Sequence, residues 1–313
     1  MPTAVLAAYD AYLLGRFHTF RQTPEDLVLA VTYLETATAP DPEFAKAYAA
    51  LGWTYSFLGT NYGQQPPHEV NPRAKKAALT ALSLDSELAD ARSLYADILT
   101  WYDWDFIAAE REFLKTLEYD PINVLGYALF LTTQERHDEA IVLIEKRLAA
   151  DPNNRYVHIN AAWRFYSARQ YERTIEEVAL AGNHTDARPI LAYTYLALGE
   201  TDRAMELFES DVDRQGRNSQ QLSNLAYAYF RMGHRTKGNE ILAELLEIAE
   251  KEFVSPAAIA AVYFAADRFA MLQKAIDVRA REIIFIQIDH TYDAYREDPR
   301  YLDLIQKIGF GAG

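Results

Sequence analysis

The sequence predicts an all-α chain: a right-handed solenoid of about seven to eight helix-turn-helix repeats with a C-terminal capping helix. Three observations carry this. First, a small residue, an aromatic three positions on and a glycine four after that recur as Gly52-Tyr55-Gly59, Ala192-Tyr195-Gly199 and Ala226-Tyr229-Gly233, with looser copies at Ala96-Leu99-Asp103, Ala162-Phe165-Arg169 and Ala260-Tyr263-Asp267. Second, the interval from 192 to 226 is 34 residues, and so is that from 226 to 260. Third, Asp-Pro closes helical runs at Asp41-Pro42, Asp120-Pro121 and Asp151-Pro152, with Asp85-Ser86 in the equivalent place. Proline disfavours helix in the residue before it and suits the first turn of the next helix.

Taken in order, the first unit carries Gly15, 37 residues before Gly52. The second holds Tyr48, Leu51, Gly52, Tyr55, Gly59, Ala74 and Ala81, interrupted by TNYGQQPPHEVNPR (60–73). That stretch reads as a long connection whose Gln64, Gln65, Pro66 and Pro67 favour an extended backbone. The unit after Pro121 reads as about three residues short, with Leu131 where a small residue is expected, and Gly238 replaces an alanine in a later second helix. The repeats fill residues 1–280. The stretch 281–313 does not repeat. Its amphipathic end (Tyr301, Leu302, Leu304, Ile305, Ile308) reads as the cap that a solenoid requires. The final GFGAG reads as a frayed end, since it neither follows a strand nor opens a helix.

Glycine costs roughly 1 kcal/mol against alanine inside a helix, so Gly52 needs a reason. The pattern places it, with Ala162, Ala192 and Ala226, where two helices cross closely and a side chain would push them apart.

A period near 34 built from two helices resembles the tetratricopeptide repeat. The residues of the second unit and Leu191, Ala192, Tyr195, Gly199, Ala204 and Phe208 carry the likeness, which covers about residues 10–270. AAYDAYLLGRF, YDWDFIAAEREF and EDPRYLDLIQKIGF further resemble the C-terminal repeat regions of bacterial adenylate or guanylate cyclases, winged-helix regulators and serine/threonine kinases. The resemblance implies a docking or sensory role in bacterial signalling and transfers no catalytic residue.

Composition narrows the function. There are no cysteines, so disulfides, thiolate metal sites and cysteine nucleophiles are excluded. A net charge of -14 repels a phosphate backbone, and no long basic run offsets it, so no nucleic-acid partner is expected. No apolar run reaches the length of a membrane span, and the start lacks a basic leader before an apolar core. A cytoplasmic place is the expectation. The triplet at 183–185 matches a glycosylation acceptor, which has meaning only in a secreted chain. HExxH, GxxxxGK[ST] and GxSxG are absent and the seven histidines are scattered. The expectation is no enzyme, no cofactor and no metal.

Binding is expected on the groove side of each first helix, opposite the small-residue seam. Helical counting places Lys46, Trp53 and Phe57 there, then Trp101, then Asn160, Trp163 and Tyr166, then Tyr193, and finally Asn224, Tyr227, Phe230 and Arg231. An aromatic follows the small residue four times: Trp53, Trp163, Tyr193 and Tyr227. These rings read either as core between neighbouring helices or as a groove for a peptide or helix. The dispersed cations, with Trp53 where a clamp wants asparagine, argue against a terminal-carboxylate clamp. The expected function is a protein- or peptide-binding scaffold. A small-molecule sensor and an accessory subunit of an enzyme remain the alternatives, and a homodimer is possible.

Overall fold

The computed structural model describes residues 3–60, 65–182, 184–263 and 266–310. Residues 61–64 of the long connection, Asn183 of the glycosylation triplet and residues 311–313 of the terminal GFGAG lie outside them. Among the described residues there are helices and no strands. The chain divides into two units, Met1–Tyr127 with Ile276–Ile284 and Ala128–Ala275 with Phe285–Gly313.

The first unit contains α1 (Leu6–Arg21), α2 (Pro24–Thr38), α3 (Ala45–Leu58), α4 (Pro67–Leu84), α5 (Ala89–Ile98) and α6 (Phe106–Tyr119). Each helix packs against the next in sequence through α5, and α5 packs on α6. Helix α7 (Leu125–Thr133) spans the sequence boundary. The second unit contains α8 (His137–Ala150), α9 (Arg155–Ser167), α10 (Tyr171–Ala181), α11 (Ala187–Leu198), α12 (Thr201–Gln215), α13 (Ser219–Arg231), α14 (Arg235–Ala249), α15 (Pro256–Val262), all but the last two residues of α16 (Ala266–Asp277), and α17 (Pro299–Ile308). In each unit alanines line the seams: Ala47, Ala74, Ala78 and Ala81 in the first, Ala162, Ala192, Ala204 and Ala226 in the second, all fully buried.

Four turns between hairpins are built alike. The backbone N–H three residues on donates to the carbonyl of Asp41, Asp85, Asp120 and Asp151, at 3.0–3.3 Å. At the first three, the Asp Oδ1 also accepts from the N–H two residues on: Glu43 at 3.2 Å, Glu87 at 3.1 Å and Ile122 at 3.2 Å. This side-chain turn satisfies a backbone donor locally. It persists at Asp85-Ser86, so the aspartate rather than the proline closes the turn.

The turns within hairpins share a second device. The N–H of Arg136, Gln170, Glu200 and His234 reaches back to the carbonyl of Leu131, Phe165, Tyr195 and Tyr229, at 2.8–2.9 Å. The residue just before each donor is left-handed: Glu135 (φ 59°), Arg169 (φ 59°), Gly199 (φ 80°) and Gly233 (φ 77°). This is the helix-ending motif that normally selects glycine. It fixes the register of the repeat: seven residues before each left-handed position stands the small residue, Ala128, Ala162, Ala192 or Ala226. The fourth unit is therefore not short. Ala128, fully buried, is its small residue, and Leu131 holds the aromatic's place. The interval from 128 to 162 is again 34. In the third hairpin a π turn at Leu99–Asp103 adds one residue, so the left-handed position falls on Trp104 (φ 60°).

The connection expected over 60–73 is shorter than its composition implies. Helix α4 begins at Pro67, a favourable first helical position. The apolar anchor Val70 is 1 % exposed, and a Cβ on Gly59 would lie 2.9 Å from its Cγ2. At the C-terminus Arg281–Phe285 and His290–Tyr295 are 3-10 turns before α17. Helix α17 buries Tyr301, Leu304 and Ile308 but turns Leu302 to solvent.

Candidate functional site

In each unit the triad residues occupy one side of the first helices. A Cβ on Gly52 would lie 2.6 Å from Leu94 Cδ2 and 3.2 Å from the Ala74 carbonyl oxygen, so both the hairpin partner and the following hairpin press on it. Three residues on, the triad aromatic is roofed by a cation from the second helix. Arg73 covers Tyr55 at 4.3 Å, Arg173 covers Phe165 at 3.8 Å, Arg203 covers Tyr195 at 3.9 Å and Lys237 covers Tyr229 at 5.2 Å. This face is closed.

The other face of the first helices carries the ring ladder. In the second unit Trp163 meets Tyr166 (5.9 Å between centroids) and Tyr193 (6.4 Å), and Tyr193 meets Tyr227 (5.6 Å). Asn224, buried, accepts from the Tyr193 hydroxyl at 2.7 Å and from Gln220 Nε2 at 3.0 Å. The four rings are half-buried. Burial pushes the phenols of Tyr166, Tyr193 and Tyr227 up, and Asp289 adds to it, so they are neutral at ordinary pH. In the first unit Trp53 stacks on Phe57 (5.9 Å, 30°) as a separate pair.

Two expected groove residues, Trp101 and Phe230, are placed elsewhere. Trp101 is 3 % exposed, with the Arg281 guanidinium 3.8 Å over its ring. The Phe230 ring turns into its own hairpin, where a Cβ on Gly238 would lie 2.9 Å from it. That contact explains why Gly238 replaces alanine. Asn160 donates to the carbonyl of Tyr156 in its own helix. Lys46 and Arg231 are exposed.

What sequence reasoning missed is a stretch of the chain lying on this face. Residues 287–296 cross the second unit as an irregular strap. The His290 ring sits 5.0 Å from the Tyr166 ring and 6.4 Å from that of Tyr171. Arg169 Nη2 pairs with Asp293 at 2.6 Å, and Arg296 Nη1 reaches Glu135 at 3.5 Å. Gln287 donates to the Thr133 carbonyl at 3.3 Å. Arg268, only 4 % exposed, donates to the carbonyls of Tyr263 and Ala261 and, at 3.2 Å, to that of Thr291. Burial alone would raise the Asp293 carboxyl, but hydrogen bonds from Arg169 and Arg296 hold it below the ordinary range. Burial, and then the Arg169 charge, lowers His290. A signal was present in the sequence: at Glu135 and Arg169 a charged residue stands where Gly199 and Gly233 stand in later hairpins.

The first unit holds a second cluster. Arg279 lies 3.6 Å over the Trp104 ring and donates to the Tyr102 carbonyl at 3.2 Å. Asp97, 4 % exposed, is raised to about 7 by burial, against the opposing charge of Arg281. Among the described residues no group of three or more His, Asp or Glu could hold a metal, and no helix is long and apolar enough to cross a membrane.

This is a helical-repeat fold of the tetratricopeptide type. Human IFIT1, solved as a dimer with m7Gppp-AAAA, is 18% identical over 91% of this chain and 69% of its own, with a TM-score of 0.55. PilF of Pseudomonas aeruginosa is 20% identical over 69% of this chain and 94% of its own (TM-score 0.46). A tetratricopeptide repeat protein from Parabacteroides merdae is 12% identical over 96% and 98% (TM-score 0.43). No family model and no curated protein matches the chain.

Proposed function

We propose that the chain is a non-catalytic scaffold that binds a protein segment on the aromatic face of the second unit. The observation that supports this best is the strap. At the edge of the face formed by Trp163, Tyr166, Tyr193 and Tyr227, a polypeptide stretch is held by the contact of the His290 ring with Tyr166 and by the hydrogen bond from Arg268 to the Thr291 carbonyl. Half-buried tyrosine and tryptophan suit such work, offering large area with few rotors and one polar end. The role in bacterial signalling rests on the sequence resemblance alone.

The test is binding of a peptide library to the wild-type chain beside Trp163→Ala/Tyr227→Ala, with helix content checked for both. Peptides held by the wild type and lost by the variant support the reading. Peptides held equally by both exclude this face. Thermal shifts with metabolites and none with peptides favour a small-molecule sensor.

A further inference from the structure

Three consecutive hairpins place a non-glycine residue in the left-handed region, Trp104, Glu135 and Arg169. Such a residue is strained by roughly 1 kcal/mol relative to glycine. Trp104 is covered by Arg279, while the other two side chains pair with the strap, Glu135 with Arg296 and Arg169 with Asp293. The next two hairpins keep glycine at this place, Gly199 and Gly233, with open space around them. Strain held at a particular site is explained when the side chain has work there. The strap offers three kinds of group: a carboxylate to Arg169, a flat ring to Tyr166 and Tyr171, and a backbone carbonyl to Arg268.

We propose that residues 287–296 are a built-in occupant of a recognition site, and that the site takes from a partner protein an acidic segment in a 3-10 turn with a ring three residues before an aspartate. The strap spells that chemistry as His290-Thr291-Tyr292-Asp293. Partner and strap compete for Arg169, Arg268 and the Tyr166/Tyr171 ring pair, so binding requires release of the strap. This rests on the scaffold reading and adds to it the chemical class of the partner and the chain's own competitor.

The test uses the full chain and a fluorescent synthetic peptide, IQIDHTYDAYRE, copied from residues 286–297. Asp293→Lys in the protein sets a cation against Arg169 and loosens the strap while leaving the receiving residues intact. The peptide is expected to bind this variant about ten-fold or more tighter than it binds the wild type, where the strap competes. Arg169→Gly relieves the left-handed strain, so folding is retained; added to Asp293→Lys, it is expected to abolish the gain. Equal affinity for wild type and Asp293→Lys overturns the competition. Tight binding that survives Arg169→Gly but is lost with Trp163→Ala overturns the acidic specificity and leaves the scaffold reading standing. No binding to any variant overturns this proposal, and the library screen then decides the scaffold reading separately.

Discussion

The Arg169 guanidinium lies 2.6 Å from the Asp293 carboxylate, although 124 positions of sequence separate them. Arg169 also has a backbone that glycine adopts in the next two hairpins. One residue thus ends a helix at a conformational cost and holds the strap. Its side chain is half exposed, so solvent weakens the pair. Arg169→Gly should therefore leave global stability within about 0.5 kcal/mol, since relieved strain offsets the lost pair. Denaturant unfolding measures this. A loss of several kcal/mol would place Arg169 in the core of the fold.

Gly52→Leu should destabilise by about 3 kcal/mol or more, because the new side chain meets Leu94 and the α4 backbone in a closed seam. Gly199→Ala is the control. It has open space but a left-handed backbone with φ 80°, so a loss of about 1 kcal/mol from backbone strain alone is expected. Thermal unfolding of both variants checks the contrast. Equal losses would mean that the seam yields.

Ser86→Pro should stabilise by roughly 0.5–1 kcal/mol, since proline occupies this position of the turn at three of the four sites and restricts the unfolded chain. Asp85→Ala should cost about 1 kcal/mol through the lost bond to the Glu87 N–H. Urea midpoints with an unchanged slope would report both effects.

Asp97 makes stability fall as pH rises. Burial favours its protonated form, so the folded chain holds a proton that the unfolded chain releases near the ordinary aspartate value. The stabilisation is complete below about pH 4 and is lost as pH rises through about 7. Asp97→Asn should match the wild type at pH 4 and exceed it above pH 7, by up to roughly 4 kcal/mol. Melting curves across this range that run parallel for the two proteins would refute the assignment.

His290 acts in the opposite sense. Its pKa is lowered in the folded chain, so the neutral ring supports the strap above the ordinary histidine value, and that support is lost as pH falls below it. The ring faces Tyr166 and Tyr171, with Arg169 and Arg296 opposing its protonation and Asp289 and Asp293 favouring it. Amide exchange protection of residues 286–296, corrected for the intrinsic rate, should fall in the wild type as pH drops below the ordinary histidine value. In His290→Phe it should stay flat. A drop of the same size in both would assign the effect to other groups.

The hairpins were legible because their determinants are local. Ala192-Tyr195-Gly199 places a seam residue, a roofed ring and a left-handed turn within eight residues of one chain segment. Asp41, Asp85 and Asp120 close turns through their own neighbours. The length of the fourth unit was misread because Glu135 stands at a glycine position and hid the register. Trp101 was misplaced because the π turn that follows α5 inserts a residue which helical counting does not anticipate.

By itself, then, the sequence determined the helical pairs, their period, the glycine and alanine seams and the aromatic character of one face, since these depend on contacts a few residues apart or one repeat away. Only the tertiary structure decided what lies on that face. The pairing of Arg169 with Asp293, and of Tyr166 with His290, joins residues more than 120 positions apart, and no periodicity encodes where a non-repeating tail will settle.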